Sequence, residues 1–64
     1  MEEFHTIDMG FTFPSNREHE VMILVDRLAQ TLYKEGLVKG GFGARVYDGG
    51  DFYDRMVSFE PRSD

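Results

Sequence analysis

The sequence predicts an α+β fold of order β-α-β-β, with one helix packed on a small three-stranded sheet. Three observations carry that expectation. A period-two stretch runs from His5 to Phe13, a helical stretch opens near Ser15, and glycines centre a hairpin at Gly49-Gly50. A right-handed crossover then makes strands one and two parallel, with strand three between them, giving the order 1-3-2. This is half of a ferredoxin-like split unit, without its second helix and fourth strand. Residues 1–64 form a single domain, free of repeats, linkers and low-complexity segments.

The first strand rests on alternation. Ile7, Met9, Phe11 and Phe13 fall on one face, and Thr6, Asp8, Gly10 and Thr12 on the other. Pro14 stops the ladder. Ser15 and Glu18 then stand at the spacing of a capping box, in which hydroxyl and carboxylate each satisfy an orphan amide. Val21, Leu24, Val25, Leu28 and Leu32 recur at three- and four-residue steps and form the predicted core stripe. Met22, Ala29 and Tyr33 flank it, and Ile23 lies on the solvent side with Arg27 and Lys34. The helix is predicted over Glu18–Glu35, with Lys34 in its last turn and Gly36 as its C′ residue.

A second strand is expected from Gly40 or Gly41 to Asp48 and a third from Asp51 to Glu60. Glycine at both central positions of Asp48-Gly49-Gly50-Asp51 permits the positive φ of a two-residue hairpin. Counting outward from that turn sets Arg45 opposite Asp54 and Arg55 beside Ala44. Phe42, Ala44, Val46, Tyr53, Val57 and Phe59 then share the helix-facing side. Tyr47, Phe52 and Met56 fall on the other side, which one helix cannot cover. Pro61 ends the strand, and Arg62-Ser63-Asp64 is expected to fray.

Composition narrows the function classes. At 7.4 kDa the core is small, and such domains lean on disulfides, metals or association. There is no cysteine, and His5 and His19 are far apart in sequence, so no structural metal or cofactor is expected. That leaves association. The absence of cysteine fits a reducing, cytoplasmic setting, and Met1-Glu2-Glu3 lacks the cationic start of a secretory leader. No apolar run reaches the ~20 residues of a bilayer span, so no membrane contact is expected. A net charge of −5 argues against direct nucleic-acid binding, which rests on Lys and Arg neutralising phosphate.

Motif by motif, no chemistry emerges. Residues 40–43, Gly-Gly-Phe-Gly, precede a strand and lack the GK[ST] of a phosphate loop; Gly41-Phe42-Gly43 only echoes an RNA-binding strand. They read as a flexible connection. Asp48, Asp51 and Asp54 lack the alternating ligands of a calcium loop and read as turn formers. No Ser nucleophile has a recognisable neighbouring base, and neither histidine has a partner at catalytic spacing, so no enzyme is expected.

The leading expectation is a small acidic binding or regulatory protein acting through protein–protein contacts as a homo-oligomer, most simply a homodimer. Its interface residues are Tyr47, Phe52, Met56, Ile23 and Tyr33. One alternative is an acidic inhibitor of phage or mobile-element type. It would present Asp48, Asp51 and Asp54 as a mimic of nucleic-acid phosphate to a basic host protein. Another is an enzyme subunit or small-molecule binder with an inter-subunit pocket lined by Phe52, Tyr53 and Arg55.

Overall fold

The computed structural model describes residues 3–49 and 53–62, with the backbone alone at Tyr53 and Asp54. A 3-10 turn at Ser15–Arg17 leads into helix α1, Glu18–Lys34, followed by strands β1, Phe42–Tyr47, and β2, Tyr53–Phe59. The strands pair antiparallel in a two-stranded sheet, and α1 packs on β2. One helix against an antiparallel sheet is an α+β arrangement. The arm, residues 3–14, carries neither helix nor strand. It therefore departs from the predicted first strand, and the described sheet has two strands rather than three.

The helix forms where its sequence signals place it, and its end is sealed as expected. Gly36 adopts φ +74, its amide donates to the Tyr33 carbonyl at 3.0 Å, and Leu37 donates to Leu32 at 2.9 Å. Those two bonds are a Schellman closure, which needs a residue that tolerates positive φ. The start differs from the predicted capping box. Pro14 and Arg17 occupy the two N-cap positions, and neither makes a side-chain cap. The 3-10 turn takes up Ser15, while Glu18 turns instead to an ion pair with Arg55.

The hairpin register also differs. Phe42 pairs with Phe59, Ala44 with Val57, Arg45 with Met56 and Val46 with Arg55. An irregularity after Val46 brings Tyr47 opposite Tyr53, so Arg45 does not face Asp54. The shift from the predicted register is two residues over most of the ladder. Because the pleat has period two, such a shift keeps Phe42, Ala44, Val46, Val57 and Phe59 on one face. Gly49 has φ +74, in line with a glycine-dependent turn. Residues 50–52 lie outside the described part, and the Tyr47–Tyr53 pair leaves a loop longer than two residues.

Burial is centred away from the predicted stripe. Ala29 is wholly buried, Val46 and Phe59 nearly so, and these are the buried hydrophobics among the described residues. Val21, Val25 and Leu32 are half-buried, but Leu24 and Leu28 are 57% and 51% exposed. The helix has seated on the Ala29 flank, where a methyl side chain lets the sheet come close. Replacing Ala29 with Leu tests this seat. Helix propensity predicts almost no loss, since both residues favour helix. Overpacking at the contact predicts a loss of about 1–3 kcal/mol, measured as a lowered urea midpoint.

Candidate interaction groove

A hydrogen-bonded clasp fixes the flank on which the helix sits. The Tyr33 hydroxyl donates to the Phe59 carbonyl at 2.7 Å. Gln30 donates through Nε2 to the Glu60 carbonyl at 2.7 Å, and its Oε1 accepts from the Arg62 amide at 3.0 Å. Asp26 receives the Arg62 guanidinium through two bonds, 3.0 and 2.6 Å, and a third from Gln30 at 3.2 Å. Residues 26, 30 and 33 share one side of a helix, so three successive turns grip the chain just beyond β2. Arg62, expected to fray, is instead tied to the helix by backbone and side chain. The Arg62 guanidinium holds the Asp26 carboxyl below the usual carboxylate range.

Opposite the clasp the helix overhangs an open groove of about 1240 Å³. One wall is α1 and β1, with Val21, Val25 and Leu28 above Phe42, Ala44 and Val46. The other wall is the arm, from Thr6 to Phe13. Among the described residues β1 lines this space, and because the arm forms no strand the predicted order 1-3-2 is seen only as its β1-β2 pair. Lys39 lies 5.8 Å from the centroid of the Phe4 ring, and the Phe11 and Phe13 ring centroids are 5.9 Å apart. The arm walls the groove with apolar side chains exposed. Ile7, Met9 and Phe11 are 77%, 76% and 67% exposed.

The groove's lining is mainly apolar, with Asp8, Glu18, Arg45 and Asp48 as its charged members. A ligand or catalytic pocket needs a few polar groups aimed at a common centre. Among the described residues no group of His, Asp and Glu could hold a metal ion, and no helix is long and apolar enough to cross a membrane. His5 and His19 are exposed.

The residues singled out from sequence are distributed rather than gathered. Tyr47 and Met56 are exposed on the sheet face turned away from α1, beside Arg45. Ile23 is exposed on the outer side of the helix, whereas Tyr33 is half-buried within the clasp. Asp48 is exposed at the end of β1, and Arg55 pairs with Glu18 across to the helix start. Phe52 and Asp51, and the side chains of Tyr53 and Asp54, lie outside the described residues. What sequence reasoning missed is the exposed band of Ile7, Met9, Phe11, Leu24 and Leu28, all assigned to the core. A count of apolar faces against layers was the only available signal. Comparison with family models, curated proteins and solved structures returns no match to this chain.

Two outcomes test the clasp. Tyr33→Phe removes one hydrogen bond and should cost about 1 kcal/mol in urea unfolding. Asp26, with its folded pKa lowered, adds stability above its unfolded value near 3.9, lost as pH falls through the folded value. Arg62→Ala should therefore flatten the fall in stability below about pH 4, read from urea midpoints across that range.

Proposed function

We propose that this chain is a small acidic, non-enzymatic binding protein that acts through protein–protein contacts as a homo-oligomer, most simply a dimer. The surface it exposes supports this most directly. A folded monomer of 7.4 kDa should expose about 4,200 Å², whereas this chain exposes 6067 Å². The radius of gyration is 13.3 Å, against about 11 Å for a compact chain of this length. Phe4, Ile7, Met9, Phe11, Leu24, Leu28, Leu37 and Met56 are all exposed. Apolar surface on this scale is stabilised by removal from water, at about 25 cal/mol per Å².

In this reading, residues 5–13 become the third strand only in the assembled protein. Their alternation has a strand's period, and β1 offers an edge that no described strand pairs. The regulatory role follows from the assembly: a protein with a small core folds fully where its own concentration, or a partner's, supplies the missing layer. Light scattering at micromolar concentration tests the reading. The expected mass is twice 7.4 kDa; a monomer that unfolds cooperatively would contradict it.

A further inference from the structure

We infer that the clasp of Asp26, Gln30 and Tyr33 on the end of β2 is a latch, which holds α1 rotated away from its own apolar stripe. Released, the helix turns by about 80° onto that stripe, buries Leu24 and Leu28 against the sheet and closes the groove. The inference goes beyond the oligomer reading, since both seats of the helix lie within one chain.

The angle comes from positions along the helix. Val21 stands in the middle of the stripe that it forms with Leu24, Val25, Leu28 and Leu32. Ala29 is wholly buried, yet it lies about 80° round the helix from Val21. A helix seated by its apolar residues alone would turn Val21 to the sheet and leave Ala29 at the margin. Here the margin faces the sheet. Leu28 and Leu24 stand about 100° and 140° from Ala29, and both are exposed.

The polar contacts lie on the other side of Ala29 from those leucines. Tyr33, Asp26 and Gln30 fall about 40°, 60° and 100° beyond it. They hold the Phe59 carbonyl, the Arg62 guanidinium, and the backbone of Glu60 and Arg62. Turning Val21 to the sheet would carry Gln30 to the opposite side of the helix, out of reach of Glu60 and Arg62. The two seats therefore exclude each other. Glu18 is about 20° from Ala29 and stays on the sheet side in both, so its pair with Arg55 serves as a pivot. The Arg62 side chain is mostly exposed, so water screens its pair with Asp26 and the latch is open to release. Room for the turn exists, because Leu28 already borders the groove with Phe42, Ala44 and Val46. What the latch governs is whether α1 presents Leu24 and Leu28 to solvent or to its own sheet.

Broadening of methyl NMR signals by a dissolved gadolinium chelate reads the exposure of each side chain and tests the inference. A Gln30→Ala, Tyr33→Phe, Arg62→Ala variant removes the clasp, with helix-favouring alanine at position 30. The expected result is an exchange: broadening at Ala29 rises by about twofold or more, while broadening at Leu24 and Leu28 falls. Ala29 decides, because association through the leucines would shield them without exposing it. Should the triple variant fail to fold, Arg62→Ala alone decides by the sign of the same change. A folded variant with a lowered urea midpoint, in which Ala29 stays as shielded as before, would show a clasp that only stabilises. That result would overturn the inference and leave the homo-oligomer reading standing.

Discussion

A two-stranded ladder is narrower than the helix that must cover it, and most of this structure follows from that mismatch. Two strands about 4.8 Å apart make a ribbon roughly 10 Å wide, no wider than a helix with its side chains at about 10–12 Å. An apolar stripe as wide as Val21, Leu24, Val25, Leu28 and Leu32 is therefore only partly covered by β1 and β2. The helix is held on its Ala29 side, and the far part of the stripe overhangs. Leu24 and Leu28 are the residues left without a sheet beneath them.

Polar groups set which side overhangs. Asp26, Gln30 and Tyr33 bind the last residue of β2 and the backbone and arginine just after it, so the clasp pins the helix at that edge. Those bonds are directional, while burial of the leucine stripe alone would tolerate rotation of the helix about its axis. The ion pair of Glu18 with Arg55 adds a second tether at the helix start. Both anchors hold the helix toward β2, and the groove lies beside the arm.

The elements that were legible in the sequence are those set by local chemistry. The length of α1, its closure at Gly36 and the two strands of the hairpin follow from periodicity, a positive-φ glycine and β-favouring residues. The facing of Phe42, Ala44, Val46, Val57 and Phe59 survived a two-residue slip because the pleat repeats every two residues. Long-range features were not legible. Nothing near Arg62 in sequence announces that it will grip Asp26, thirty-six positions earlier. The alternation from Ile7 to Phe13 marks a segment able to form a strand, but a strand also needs an edge brought within reach. For the same reason the groove was invisible: each of its walls reads as ordinary core.

A chain with so little buried surface of its own should draw part of its stability from a second copy, whatever the assembled protein then binds. Concentration dependence of unfolding tests that most directly. Urea midpoints should rise steadily as the protein is raised from about 1 to about 100 μM, because mass action favours a folded oligomer over unfolded monomers. A sharp cooperative transition with the same midpoint at every concentration would show that one copy keeps its own apolar band dry, and would contradict the account.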